Sequence, residues 1–426
     1  MIHSLRFRNF KALRDVELEL DRLTLLVGPN ASGKTSVLEA IHHLTRLASL
    51  DPRQVFDGAA SIGVVASRGA EGVLELSFSG TFRRKKGDLS ISFAAIEDYP
   101  FSDTYKLESR WGDRRFSTRR ELSPPEDTPT ATAEQPLSLV VREAAYLSFD
   151  LARLAEPSYS DLPTPVIGPD GAGLAAVVAD MAASRPDDFG RLQEALRAVI
   201  PGLVRVRLVR AKVPRLTVGA AANDAEERVW GHEVVFDMTG ATDIPARAAS
   251  EGMLRALGLF TVLMGPDRHE LLLIDHLERG LNPRSSADLV AQITQVLNLD
   301  PRLQIVAVTD SPTLLDEVSA ESVRVHCLLE DGSVRIKPLT QHPEYELLRA
   351  DMRAGEFWTQ VGDAWVAEEA RPPALPPEEG PAEPSDPNRI EIDPRAGSDV
   401  PAPDGSPSAH RWPPTMPPLP PGMSRA

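Results

Sequence analysis

The sequence predicts an α/β protein with a mixed central sheet, an antiparallel N-terminal subdomain and an inserted lid region. Three observations lead there. Leu23–Val27 is a compact apolar run ending on a glycine, and Val37, Leu38, Ile41, Leu44 and Leu47 recur behind it at helical spacing, so strand, glycine-rich turn and helix follow in order. Residues 271–275 and 303–309 are two further apolar runs of buried-strand length, the first ending on Asp275. Segments before and after the first helix alternate apolar and polar residues with period two, as half-buried antiparallel strands do.

Taken in order, Leu5, Phe7 and Phe10 mark a first strand, and Val16, Leu18 and Leu20 a second whose acids face water. Between residues 60 and 120, Leu74, Leu76 and Phe78 and then Leu89, Ile91 and Phe93 read as a hairpin with Arg83, Arg84, Lys85 and Lys86 on its turn. Such a run is read as a solvated hairpin tip, with nucleic-acid or partner contact as the other reading. Residues 121–137, rich in Pro, Glu and Thr, read as a flexible excursion. Residues 174–181, 189–199 and 251–264 carry helical patterns, and 204–213 and 234–238 strand patterns. Residues 285–297 give another helix, 313–318 begin a short one, and 323–329 with 333–336 make a hairpin around Asp331-Gly332. The expected organisation is 1–140 as a first half of the α/β fold, 141–240 as an inserted lid, 241–366 as a second half, and 367–426 as a tail.

That tail is expected to be disordered: positions 372–421 hold 17 of the chain's 38 prolines, with few large apolar residues between them. It reads as a solubilising tail, with polyproline docking as the alternative. The formal net charge of −16 argues against a protein that coats nucleic acid over a wide surface, although a local basic groove can coexist with it. The single cysteine, Cys327, excludes an intramolecular disulfide and a cysteine-based zinc site. No apolar window has the length of a membrane span and the N-terminus lacks a signal-type core, so a cytoplasmic protein with no membrane partner is expected.

The chemistry concentrates at Gly28-Pro29-Asn30-Ala31-Ser32-Gly33-Lys34-Thr35, an ungapped Gly-x-x-x-x-Gly-Lys-Thr in strand–loop–helix context. Glycines let the backbone wrap close to phosphate oxygens, and successive N–H groups at a helix N-terminus meet the negative charge. Asn30, Gly33, Lys34, Thr35 and Ser36 are the candidate nucleotide-binding residues. Lys34 reaches the outer phosphates and Thr35 offers its hydroxyl to magnesium, so ATP and Mg²⁺ are the expected cofactors. Asp275, delivered to the C-terminal edge of a buried strand, is the candidate magnesium-side acid beside Thr35.

With these residues in place, the set is similar to the ABC-type AAA ATPase heads of the SMC, RecF and OLD-like group, in its compact bacterial head-only form. Arg6-Phe7-Arg8-Asn9-Phe10-Lys11 resembles the start of such heads. Ala249-Ser250-Glu251-Gly252 resembles the signature loop, residues 271–283 the Walker B stretch with its D-loop, and Val308-Thr309-Asp310-Ser311-Pro312 the switch loop. The resemblance covers about 1–50 and 240–365. It implies that Ser250 and Gly252 cap ATP held by another subunit, so the partner is a second copy or another ABC-type head that closes over ATP. Asn282 is then a cross-dimer contact or part of the turn before a helix. The glutamine linking such sites to their lid has no firm position, Gln54 being the nearest candidate.

Two positions depart from the resemblance. Where the group has a glutamate after the Walker B aspartate the chain has His276, and where it has a switch histidine the chain has Asp310. Three readings follow. His276 and Asp310 face each other with exchanged roles, His276 positioning water; or the site binds ATP and closes but hydrolyses slowly; or Glu278 substitutes from two residues on. Asp275, His276 and Asp310 are thus the candidate catalytic residues, and weak or conditional hydrolysis is the expectation. The resemblance places the cycle in DNA maintenance or defence against foreign DNA. The alternative is an ATP-dependent regulatory switch or scaffold acting on a protein effector without binding DNA.

Overall fold

The computed structural model describes residues 1–56, 59–69, 72–93, 104–121, 136–139, 141, 144–214 and 228–368. The Pro/Glu/Thr-rich stretch therefore lies outside the described residues at 122–135, and so does the proline-rich tail from 369.

The chain opens with the hairpin β1 (Ile2–Phe10) and β2 (Leu13–Glu19), then β3 (Leu23–Val27), which runs through the glycine loop into α1 (Lys34–Leu47). Short helices α2 (Pro52–Phe56) and α3 (Ala59–Val65) lead to a meander of β4 (Leu74–Phe82), β5 (Lys85–Phe93), β6 (Thr104–Trp111) and β7 (Arg114–Glu121). Next come β8 (Ala145–Leu147), α4 (Leu151–Ala155), α5 (Leu174–Ser184) and α6 (Pro186–Val199). β9 (Leu203–Pro214), β10 (Arg228–Met238) and β11 (Ala241–Pro245) follow, then α7 (Glu251–Met264). β12 (Leu271–Ile274), α8 (Pro283–Leu299), β13 (Gln304–Val308) and α9 (Pro312–Leu315) complete the second half of the head. β14 (Val323–Leu328), β15 (Val334–Pro338), α10 (Tyr345–Leu348) and α11 (Ala354–Val361) end the described chain.

Three sheets result. One is antiparallel in the order β2-β1-β4-β5-β6-β7; a second is β11-β10-β9; the central one runs β15-β14-β3-β13-β12-β8. In the central sheet every neighbouring pair is parallel except β14 with β15, which makes it the mixed sheet that the apolar runs predict. Alternation along its strands splits them between two cores. Leu26, Leu271, Leu273, Val306 and Val308 pack with Val37, Leu38, Ile41 and Leu44 of α1 and the inner face of the antiparallel sheet. Leu25, Val27, Leu272, Ile274, Ile305 and Ala307 pack on the other side with α5 to α8. Each such fully buried Leu, Ile or Val contributes about 1.5–3 kcal/mol over exposure. β3, β12 and β13 are thereby held rigid, and their C-terminal ends carry the candidate site.

Two features differ from the sequence reading. β8 lies within the stretch read as a lid, yet it is an edge strand of the central sheet, parallel to β12 through Leu272↔Ala145, Leu273↔Tyr146 and Ile274↔Leu147. At three residues it is too short to show a period. α5 and α6 likewise belong to the core beneath α7, while β9 to β11 form their own sheet. The β4–β5 turn is also tighter than expected, holding only Arg83-Arg84, with Lys85 and Lys86 already in strand.

Candidate functional site

The glycine loop adopts its conformation because neighbours leave no alternative. Gly28 has φ +142°, and a Cβ there would meet the His326 carbonyl oxygen at 2.4 Å. Ala31 and Gly33 also have positive φ, 63° and 80°. Gly33 is the N-cap of α1 and no side chain caps that end, so its first N–H groups remain for an anion. Behind the loop His326 is fully buried on β14, and its Nδ1 lies 3.1 Å from the Ser32 carbonyl oxygen, which requires Nδ1–H to donate. Burial pulls the His326 pKa down to about 3; the bond to Ser32 opposes this and the nearby Lys34 charge adds to it. The imidazole is a neutral strut.

A cavity of about 290 Å³ opens over the loop, lined by residues 30–36 together with Lys11, Ala12, His276 and Val308. All five candidate loop residues, Asn30, Gly33, Lys34, Thr35 and Ser36, line it. Lys34 Nζ is folded back: it donates to the carbonyl oxygens of Gly28 (2.7 Å) and Pro29 (2.9 Å) and lies 3.3 Å from Asp310 Oδ1. Thr35 Oγ1 donates to Asp275 Oδ2 at 3.2 Å, while Asp275 Oδ1 is buried without a hydrogen-bond partner. That orphaned oxygen beside a hydroxyl fits a magnesium ion, which binds through one or two protein oxygens plus phosphates and water. Among the described residues no cluster of three metal-ligating side chains exists, so this pair is the arrangement available.

His276 follows β12 with φ +54°, in the left-handed region. The chain is pinned just beyond it by Leu277 N–H donating to the Val308 carbonyl at 3.0 Å. The ring then stands between two carboxylates: Nδ1 is 3.5 Å from Asp310 Oδ2 and Nε2 is 3.9 Å from Asp275 Oδ1. The structure thus brings Asp275, His276 and Asp310 together with Lys34. Glu278 is close too, but turned to the switch loop. Its Oε1 accepts from the Asp310 backbone N–H at 3.0 Å and its Oε2 is buried without a partner.

Ser250 and Gly252 are elsewhere. Neither lines the phosphate cavity. Ser250 is exposed and caps α7, its Oγ accepting from Met253 N–H at 3.4 Å. Gly252 is packed so closely that a Cβ would sit 2.4 Å from the Gly280 carbonyl oxygen. Glu251 bridges Arg255 (2.8 Å) and Arg279 (3.1 Å), locking the signature-like loop onto the turn before α8. Asn282 caps α8, its Oδ1 accepting from Ser285 N–H at 3.0 Å. Gln54 serves its own turn, Oε1 accepting from Asp51 N–H at 3.2 Å, and does not line the cavity. Two residues given no site role by the sequence take part: Lys11, at the cavity wall with φ +51° and paired with Glu39, and His326 behind the loop.

Residues 23–316 match the family described as "AAA domain, putative AbiEii toxin, Type IV TA system". The chain belongs to this AAA family. A relative of the AAA chain, the OLD nuclease of Thermus scotoductus, is 49% identical over 41 residues, which is 10% of this chain and 8% of that protein. Among solved structures, an SMC head bound to the C-winged helix domain of ScpA superposes with TM-score 0.51 and 14% identity, over 79% of this chain and 96% of that one. The Smc head domain with a coiled coil and joint from Pyrococcus yayanosii gives TM-score 0.50 and 10% identity, over 82% and 99%. These similarities establish the fold of the AAA chain as that of an ABC-type P-loop head. Among the described residues no helix is long and apolar enough to cross a membrane.

Proposed function

We propose that the protein is an ABC-type ATPase head that binds Mg–ATP and closes on a second head, with His276 and Asp310 in exchanged catalytic roles and slow, conditional turnover. The observation that carries this reading is the cluster of Lys34, His276 and Asp310 at one end of the phosphate cavity. Thr35 and Asp275 would hold the magnesium ion, which when bound supplies positive charge to the β- and γ-phosphates. Asp310 now occupies the lysine that the γ-phosphate would take. An arriving triphosphate draws Lys34 off Asp310, leaving that carboxylate to hold the Nδ1–H of His276. Nε2 is then unprotonated and accepts from the attacking water. Binding and assembly of the water-orienting pair become one event, and turnover is slow because it waits on that exchange.

The position of Ser250 supports the pairing of heads. It sits exposed at the start of a fourteen-residue helix, outside the chain's own cavity, where hydroxyl, N–H groups and helix dipole suit an anion brought by another subunit. Its work is read as DNA maintenance or defence, a reading that the local likeness to an OLD nuclease supports. The test is mass measurement with Mg²⁺ and a non-hydrolysable ATP analogue. Doubling of the mass supports the reading; tight analogue binding by a persistent monomer removes the composite site.

A further inference from the structure

The β4–β5 turn consists of two arginines, both in the left-handed region: Arg83 at φ +47° and Arg84 at φ +64°. A two-residue turn of this hand favours Asn-Gly or Gly-Gly, because side chains with a Cβ are strained there. The sequence keeps arginine at both positions. Beside this tip lies the β6–β7 turn: Gly112 N–H donates to the Lys86 carbonyl at 2.8 Å, and β7 begins at once with Arg114 and Arg115. The two tips gather Arg83, Arg84, Lys85, Lys86, Arg114 and Arg115, with Asp113 as the acid between them, on a chain of net charge −16.

Elsewhere on the same sheet several cations are paired with acids. Arg110 pairs with Asp88 at 2.6 Å, Lys106 with Glu108 at 2.8 Å, and Arg6 with Asp15 and Glu17. At the tips Lys85 lies over the Trp111 ring, and the other five cations have no ion pair among the described residues. Exposed, unpaired arginines at two adjoining turns, two of them strained at the β4–β5 tip, are a surface kept for an anion, since strain persists where function demands it.

We propose that these joined hairpin tips bind the sugar–phosphate backbone of double-stranded DNA. Four strands about 4.8 Å apart spread the cations over roughly 15 Å, enough to meet several phosphates of a duplex that carries one charge per about 1.7 Å of axis. Arginine's planar fork suits phosphate oxygens. Phe82 is buried, Phe116 packs against the core and Trp111 is covered by Lys85, so no platform for stacking unpaired bases is offered and the contact is sequence-independent. The inference deepens the DNA-linked reading above, and its test is made without ATP so that the two fail separately.

The experiment is fluorescence anisotropy of the full chain with a labelled 30-base-pair duplex across a salt series. It compares wild type with the Arg83→Asn/Arg84→Gly double variant and, on the other tip, Arg114→Gln/Arg115→Gln. Each variant should bind at least about tenfold more weakly, with the slope of log affinity against log salt reduced by about 2. The turn variant should also melt no lower than wild type, because Asn-Gly relieves the left-handed strain. Loss of affinity with retained or raised melting temperature marks a contact surface. Absence of salt-dependent duplex binding by wild type overturns the proposal, and so does unchanged affinity in both variants. Tighter binding of an unpaired strand of the same length, or equal competition by polyglutamate, overturns the assignment to duplex DNA.

Discussion

His276 and Asp310 face each other beside the phosphate loop, Nδ1 to Oδ2 at 3.5 Å, although 34 peptide bonds separate them. If they act as one unit, His276→Ala and Asp310→Ala each lower ATP turnover at least about tenfold, and the double variant falls no further. Steady-state phosphate release measures this. Additive losses would show that the two residues act separately.

Asp310 also holds Lys34 Nζ at 3.3 Å, so the lysine's ground state is an ion pair. Lys34→Ala should abolish Mg–ATP affinity and ATP-dependent pairing together. Asp310→Asn should do the reverse for binding, tightening ATP because the competing charge is gone, while turnover falls. Calorimetric titration with ATP reads both; weaker binding by Asp310→Asn would remove the competition.

The Thr35–Asp275 contact carries the metal reading. Asp275→Asn should weaken ATP binding strongly with magnesium present and little in EDTA, since only the metal-dependent part uses that carboxylate. Equal losses in both conditions would make Asp275 a structural cap.

Much of this site is legible in sequence because its parts are local. The strand, glycine loop and α1 follow within 25 residues, and β12 delivers Asp275 at the end of an apolar run. What stays hidden depends on contacts between distant segments. His326 reads as one residue of an alternating strand; only the parallel pairing of β14 with β3 puts it under the Ser32 carbonyl. Glu278 appears from the sequence as a candidate base, and only the folded switch loop shows it receiving the Asp310 N–H. β8 is three residues long, and α10 and α11 carry too few turns for a period to stand out.

His326 also sets a pH dependence. Its pKa in the fold, about 3, lies below the ordinary 6.5, and His43 is lowered by burial to about 4. Both are neutral in the fold and take a proton on unfolding below pH 6.5, so the unfolded chain binds more protons and stability falls as pH falls. Each contributes up to about 1.4 kcal/mol per pH unit between 6.5 and its folded value. His326→Asn keeps a donor near the Nδ1 position without a titrating group. Urea unfolding at pH 7 and pH 5 should show a smaller acid loss in this variant; an unchanged difference would mean His326 is not titrating.

Exposure of Ser250 away from its own phosphate cavity makes a prediction that no single-chain mechanism shares. Each head in a two-fold dimer would lend its signature-like loop to the other's nucleotide. Lys34→Ala leaves that loop intact but spoils the chain's own phosphate site. Ser250→Arg leaves the phosphate site intact but blocks the loop it lends. Neither should turn over ATP alone. Mixed, they form heterodimers in which one composite site has an intact lysine on one side and an intact Ser250 on the other, the second site being doubly broken. Because neither variant has an intact composite site with its own kind, ATP-driven pairing favours mixed dimers, each with one of two sites working, so turnover should recover to as much as about half of wild type. Recovery can arise only if the two residues act across subunits. A mixture as inactive as its components, with pairing still seen by mass, would place Ser250 outside the reaction.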